Sequence, residues 1–564
     1  MIDCHLHLWA TDTSTPEKRA ERAEQLRQEM ELHGVEKIAL IGEVGTTVEE
    51  CREHNRTVAK YVEEHPDLFY GWARVDPGLG EDAVAEFRRA VMEDGLVGLK
   101  HHFYDGTPVN ISDPEFFPLA EAAVEMDVPI IAHVMQRLER DKENWDDSEA
   151  YTEDVVELAE RYPDLTLISA HIVAGGDPEY RIKNVADVEN VILDISGSNC
   201  EAGVIEMAAE YIGVDRLVYG TDTWMQPGVG KLEGLDLTPE QRAEIAYNFE
   251  TLLGENVPNR YSESELESLM TAARDHFAEC DTPREEVIVD ANAYVGNWPF
   301  RRLDASPEAL VDRMDEKGVD RAVVSSFDAV FYRNCHHANE ELATEIDGYE
   351  DRLIPFATIN PTYTAWQADF REAVDDLGMQ GVRLFPMYHD YDMNQPEVVE
   401  LLDLAAELDV PVMIVGPIQD QRGRHPRFML RGFEDGGTRA FTDDHVDDLI
   451  ELLQASPDAD VIVGNLWNKA PRVFEAVCTA QPAGVRLDNF VRSGRTLFVL
   501  DDLFCYFNQQ AAELVEEVGV NHLVTGPRLP LHIFDAFYKY TETLPVSPEE
   551  KDRVRSENVL SLVE

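Results

Sequence analysis

The chain has 564 residues and carries 111 Asp plus Glu against 48 Lys plus Arg, a formal net charge of −63. So negative a balance excludes nucleic acid and anionic membrane surfaces as partners, because binding either requires a basic footprint that displaces counterions. Disorder is excluded too, since 44% of residues are apolar and 9% aromatic, enough for large cores.

Arg outnumbers Lys 37 to 11, and acidic residues run along the whole chain rather than in a tail. That composition resembles proteins of salt-in halophiles, in which concentrated salt screens self-repulsion. The seven cysteines (Cys4, Cys51, Cys200, Cys280, Cys335, Cys478, Cys505) fall singly, which argues against a disulfide scaffold or a Cys-based zinc site. The N-terminal Met1-Ile2-Asp3-Cys4-His5 begins no basic segment followed by an apolar run, and no membrane-length apolar stretch follows. The expectation is a cytoplasmic protein acting on a small molecule.

From the N-terminus, short β-rich runs alternate with amphipathic helical segments. Strands are expected near 2–8, 36–42, 68–75, 96–101, 129–134, 165–170, 191–195 and 217–220, with helices such as 17–33 and 115–126 between them. Eight βα units predict a closed (β/α)₈ barrel. Residues 254–285 are polar and hold one helix, read as the closing helix of that barrel plus a connector.

The plan then repeats. LRQEMELHGVEKIALI (26–41) aligns with LVDRMDEKGVDRAVVS (310–325), and the same offset of 284 residues carries Asn55 onto Asn339 and WARVDP onto FATINP. GLVGLK ending at Lys100 matches GMQGVR ending at Arg383; DVPIIAHV matches DVPVMIVG; GVDRLVYG (213–220) matches GVNHLVTG (519–526). The same order of matched segments in both halves predicts a duplication, hence an α/β chain of two tandem (β/α)₈ TIM barrels: 1–254, a linker helix and connector at 255–285, and 286–564. The halves are expected to pair as an internal pseudo-dimer, with self-association of whole chains left open.

In a barrel of this type the chemistry gathers at the carboxyl ends of the strands. The first strand supplies His5 and His7, whose i, i+2 spacing turns both imidazoles to one side. Strand five ends in His133, strand six in His171 and strand eight in Asp222, each directly after an apolar run. A shared divalent cation would satisfy all five, where burial of each alone would carry a desolvation cost. Imidazole and carboxylate ligands without thiolate suit one Zn²⁺ or Mn²⁺.

His5-x-His7 on strand one, His133, His171 and Asp222 in that order, with the segments IDCHLHLW, GLVGLKHH and YGTDTW, resemble the metal-dependent hydrolases of the amidohydrolase superfamily. The likeness is greatest to the branch that holds lactonases, dicarboxylate hydrolases and nonoxidative decarboxylases related to aminocarboxymuconate semialdehyde decarboxylase. The resemblance implies one metal on His5, His7, His133 and Asp222, with His171 as a catalytic partner stabilising an oxyanion and Asp222 moving the proton of an activated water. Lys100 stands where binuclear members carry a carboxylated bridging lysine, yet Lys100 and His102 fit equally well as groups that bind a substrate carboxylate. The implied activity is hydrolysis of a lactone, ester or amide; the alternatives are nonoxidative decarboxylation on the same metal and a noncatalytic scaffold.

The second half keeps the frame without the ligands. Asn292 and Tyr294 replace the two strand-one histidines, Val415 replaces His133, Asn465 replaces His171 and Arg528 replaces Asp222. An Arg in place of a carboxylate repels a cation, so no metal is expected there. His336, His337 and His389 read as solvated or structural. The loop 417–440 is the most basic stretch and reads as a solvated, locally paired segment.

Overall fold

The computed structural model describes residues 1–9, 15–102, 108–135, 149–173, 176–255, 257–418, 441–466, 469–479, 494–500 and 508–564. Apart from its first two residues, the basic loop 417–440 lies outside them. Two compact units are present, Met1–Cys280 and a second beginning at Asp281.

The first unit contains the eight expected strands: β1 Ile2–His7, β2 Lys37–Ile41, β3 Phe69–Trp72, β4 Leu99–His101, β5 Ile130–Ala132, β6 Leu167–Ser169, β7 Val191–Asp194 and β8 Leu217–Val218. All pair in parallel, β1-β2-β3 in one sheet and β4-β5-β6-β7-β8 in another. Bridges Ala73 to Leu99 and Leu6 to Asp222 join the two sheets at both seams and close the barrel. Its strands are almost wholly buried and rich in Val, Ile and Leu, as parallel strands covered by helices must be. Trp72 fills part of the interior, its indole N–H donating to the Cys4 carbonyl at 2.9 Å and its ring 5.6 Å from Phe249.

Local sequence explains the outer helices. Pro16–His33 opens on Thr15, whose hydroxyl accepts from Lys18 N, starts with Pro16, and stops at Gly34 with φ 66°. It buries Ala23, Leu26, Met30 and His33 at helical spacing. Val48–Glu64 begins with a Thr47/Glu50 capping box. Helix Glu263–Cys280 closes the unit, with Arg242 of helix Pro239–Thr251 donating to the Phe277 carbonyl at 3.1 Å.

In the second unit β9 Val289–Val295, β10 Arg321–Ser326, β11 Leu353–Thr358, β12 Gly381–Leu384, β13 Val412–Val415, β14 Val461–Gly464, β15 Thr496–Val499 and β16 Leu523–Val524 form one parallel sheet in sequence order. Hydrogen bonds from Ala291 N to Thr525 O (3.1 Å) and Tyr294 N to Leu529 O (2.9 Å) bring its first strand against its last. The chain is thus an α/β protein of two tandem (β/α)₈ barrels. Among the described residues no helix is long and apolar enough to cross a membrane.

Fine structure recurs between the units. Asn55 accepts from Arg74 N at 2.8 Å and Asn339 accepts from Thr358 N at 2.8 Å, the same bond one repeat apart. Asn248 Nδ2 donates to Val214 O and Leu217 O, and Asn558 Nδ2 to Val520 O and Leu523 O. Strand β1 carries one extra residue relative to β2 between Asp3 and Leu6, and β9 one extra relative to β10 between Asp290 and Ala293. A bulge re-aims the side chains it carries, and these two carry His5 and Asn292.

Candidate metal centre

His5 is fully buried at the bulge, and its Nδ1 lies 2.7 Å from Asp194 Oδ2. With a carboxylate at that distance Nδ1 carries the proton, which leaves the Nε2 lone pair facing His7 Nε2 at 3.3 Å. Asp222 follows β8 in a left-handed conformation, φ 62°, imposed by hydrogen bonds of its N to His5 O (2.6 Å) and its O to His7 N (3.0 Å). This turn sets Asp222 Oδ1 3.8 Å from His5 Nε2 and 3.7 Å from His7 Nε2. His171 follows β6, also left-handed at φ 68°, with Nδ1 3.8 Å from Asp222 Oδ2. Its backbone is held by buried Arg181, which donates to the carbonyls of His171 (2.5 Å) and Ala170 (2.6 Å) and to Ser169 Oγ (3.0 Å).

The ligating atoms of His5, His7 and Asp222 all lie within 4.8 Å of one another, as do those of His5, His171 and Asp194. His133 stands beside these groups rather than in them. Its ring is 4.8 Å from that of His171 and 4.1 Å from that of His102, and its Nε2 is 3.9 Å from Glu149 Oε1. Lys100 is fully buried, with Nζ 3.0 Å from His5 Nε2, so its charge sits among the imidazoles. His102 is half-buried and in ring contact with His133.

Burial pushes His7, His133 and His171 well below the usual imidazole range, and Lys100 nearby adds to the effect. The rings are therefore neutral, with lone pairs to share. Burial raises Asp222. Burial works in the same upward direction on Asp194, but the hydrogen bonds it accepts from His5 and Ser196 outweigh it and hold Asp194 below the usual carboxylate range. Neutral imidazoles converging on a carboxylate, in a pocket that desolvates all of them, fit a divalent cation by donor chemistry.

Asp194 and Ser196 were not singled out from the sequence. Ser196 Oγ donates to Asp194 Oδ2 at 2.5 Å, which commits its one hydrogen, so it accepts from His171 Nδ1 at 3.0 Å. Asp194 therefore orders His5 directly and His171 through Ser196. The signal was present: VILD ends in a carboxylate at a strand terminus, as the other site strands end in His.

The second barrel keeps the backbone of this centre. Asn465 and Arg528, which replace His171 and Asp222, are left-handed too, at φ 64° and 69°. Arg528 donates to Asn465 Oδ1 at 2.5 Å, and Tyr294 OH donates to Asn292 Oδ1 at 3.1 Å. Arg383, in the place of Lys100, lies over the Tyr294 ring at 4.6 Å and donates to Ala293 O and Val323 O. Two buried guanidiniums thus occupy the region where barrel one gathers neutral imidazoles. His389 is buried with Nε2 3.1 Å from Ala329 O, whereas His337 is exposed beside Glu340 and Glu341.

Comparison with solved structures finds 2,6-dihydroxybenzoate decarboxylase from Rhizobium at 18% identity, over 44% of this chain and 97% of that one, with a TM-score of 0.34. The 5-carboxyvanillate decarboxylase from Sphingomonas paucimobilis matches at 16% identity, over 45% and 98%, TM-score 0.35. A 5-carboxyvanillate decarboxylase from Novosphingobium aromaticivorans, complexed with manganese, matches at 15% identity, over 50% and 96%, TM-score 0.39. No curated protein matches the sequence. The amidohydrolase family profile matches residues 2–248 and again 271–477, one segment spanning the first barrel and the other running from its last helix through β14. With most of its length matched in these two segments, the chain belongs to the amidohydrolase family.

Proposed function

We propose that the first barrel is a metal-dependent hydrolase that opens a lactone, ester or amide bond in a small carboxylated substrate. The observation that carries this reading is the convergence of His5 Nε2, His7 Nε2 and an Asp222 oxygen within 4.8 Å, with His5 oriented by Asp194. His5, His7 and Asp222 would hold one Zn²⁺ or Mn²⁺, with His133 as a further ligand at the edge of the group. Such an ion supplies Lewis-acid activation of a water or of a substrate oxygen.

The chain's own residues do the rest. Asp222, partly open to the mouth with 21% of its side chain exposed, takes a proton from the attacking water and returns it to the leaving group. His171, its Nδ1–H held by Ser196, would stabilise the oxygen on which charge develops by donating from Nε2 once that nitrogen has taken a second proton in the reaction. Lys100 and His102 attract the substrate carboxylate, Lys100 by charge from within the cluster and His102 by hydrogen bonding from beside His133.

One observation favours a second reading, nonoxidative decarboxylation. Burial raises Asp222 while Asp194 is held down, so of these two carboxyls Asp222 is the one able to deliver a proton to the carbon that loses CO₂. An assay in concentrated KCl with lactones, amides and aromatic or enoic acids, following acid release and CO₂ release together, separates the two. Acid release that is lost in Asp222→Asn supports hydrolysis. CO₂ release alone would replace that reading with the second, and turnover surviving in His5→Ala plus Asp222→Ala would exclude both.

The same proposal extends to the rest of the chain. The two barrels descend from one by duplication, the second holds no metal at Asn292, Tyr294, Val415, Asn465 and Arg528, and its role is structural or regulatory. The acidic surface is an adaptation of a cytoplasmic protein to high salt.

A further inference from the structure

We propose that Glu233, His276 and Cys280 form a second cation site, separate from the barrel centre, that takes a thiophilic divalent ion such as Zn²⁺. His276 Nε2 lies 3.0 Å from Glu233 Oε1 and 3.7 Å from Cys280 Sγ, and the three ligand atoms all fall within 4.8 Å of one another. A tetrahedral zinc ion with bonds of about 2.0–2.3 Å needs ligand atoms about 3.3 Å apart for a nitrogen and an oxygen and about 3.6 Å for a nitrogen and a sulfur. The present spacings differ from those by a few tenths of an ångström, within reach of side-chain rotation. Three protein ligands leave the fourth position to water, on the side where His276 is 46% exposed.

Backbone placement supports the same occupant. His276 and Cys280 sit at i, i+4 on one face of helix Glu263–Cys280, in its last turn, and Glu233 is the last residue of helix Met225–Glu233. Two helix C-termini therefore meet at the site, each contributing partial negative charge that favours a cation. Arg242 donates to the Glu233 carbonyl at 2.6 Å and to the Phe277 carbonyl at 3.1 Å, which locks the two helix ends together and keeps the ligand side chains in register. The Glu233 side chain is almost fully buried, 5% exposed, so its orientation toward His276 is fixed by packing. None of these residues belongs to the barrel centre. Binding would release the Cys280 thiol proton to solvent and leave the thiolate on the metal, with no change of oxidation state. The consequence is a clip that ties the last helix of the first unit to the helix following β8.

Cobalt reports the site, because thiolate ligation gives a charge-transfer absorption in the near ultraviolet that imidazole and carboxylate ligands do not. Metal-free full-length chain, kept reduced in concentrated KCl, is titrated with Co²⁺ alone. The proposal requires a thiolate-to-cobalt band whose final amplitude corresponds to one thiolate-bound Co²⁺ per chain, retained in Asp222→Asn and lost in Cys280→Ser. Should Cys280→Ser fold poorly by circular dichroism, His276→Gln must weaken the apparent Co²⁺ affinity of the band at least tenfold. Absence of the band in the wild type, or its undiminished presence in Cys280→Ser, would overturn the proposal without touching the barrel centre.

Discussion

Replacing Asp194 by Asn preserves shape and removes one charge at the point on which the barrel centre is hung. Asp194 is fully buried and accepts from His5 Nδ1 at 2.7 Å, Ser196 Oγ at 2.5 Å and Ser196 N at 2.8 Å. If the Asn amide oxygen keeps the Ser196 N–H, its NH₂ faces His5 Nδ1, which must then accept; the ring proton moves to Nε2 and the lone pair aimed at His7 is lost. If the amide is flipped, NH₂ faces the Ser196 N–H and two donors oppose one another. A charge-assisted hydrogen bond of this kind contributes about 1.5–3 kcal/mol. Loss of a residue that orients a ligating His weakens metal binding about 10–100-fold, which corresponds to about 1.4–2.7 kcal/mol. Asp194→Asn should therefore bind Mn²⁺ or Zn²⁺ in barrel one about 10–100-fold more weakly, with a milder loss in Ser196→Ala. Competition against a chromophoric chelator in concentrated KCl measures this, with circular dichroism showing that the fold is kept. Wild-type affinity in Asp194→Asn would refute the argument that Asp194 sets the His5 tautomer.

Other predictions concern the frame. Asp535 is buried between Arg284 (2.5 Å) and Lys317 (2.8 Å), so Asp535→Ala strands two cations and should cost the second unit about 3–5 kcal/mol; a thermal melt unchanged from wild type would contradict this. Burial raises Asp290 to about 6, against about 3.9 in an unfolded chain. A folded pKa above the unfolded one means that stability from this group is full below about pH 4 and is lost as pH rises through about 6, by roughly 3 kcal/mol. Melts of Asp290→Asn and wild type across that window should therefore shift relative to each other in favour of the variant as pH increases; parallel profiles would count against it. A net charge of −63 leaves self-repulsion unscreened at low salt, where the Debye length is about 10 Å at 0.1 M against about 3 Å at 1 M. Melting temperature should rise steeply with KCl into the molar range, and a flat response would sink the salt-adaptation reading.

Much of the architecture is legible in the chain because parallel strands buried on both faces must be apolar runs, and their spacing by amphipathic helices leaves few topologies. The site residues share that legibility: a His or Asp directly after such a run stands out against it. What the sequence does not carry is how close those residues come. The left-handed backbone at His171 and Asp222 depends on Arg181 and on the β1–β8 seam, contacts made by residues remote in sequence. His133 and His5 look equivalent as strand-end histidines, yet the bulge in β1 draws His5 into the group while His133 remains beside it. Asp194 escaped because a carboxylate ending a strand is not distinctive until its partner is known. The His276–Cys280 spacing is equally plain on a helix, but only the fold brings Glu233 to it.

The measurement that bears most directly on the central claim is the metal content of the full-length chain, by native mass spectrometry, in wild type and in His5→Ala plus Asp222→Ala, both purified without chelator at high salt. The account predicts that the double variant, still folded, carries one divalent ion per chain fewer than the wild type and has lost all turnover. Equal metal content in the two proteins would contradict it.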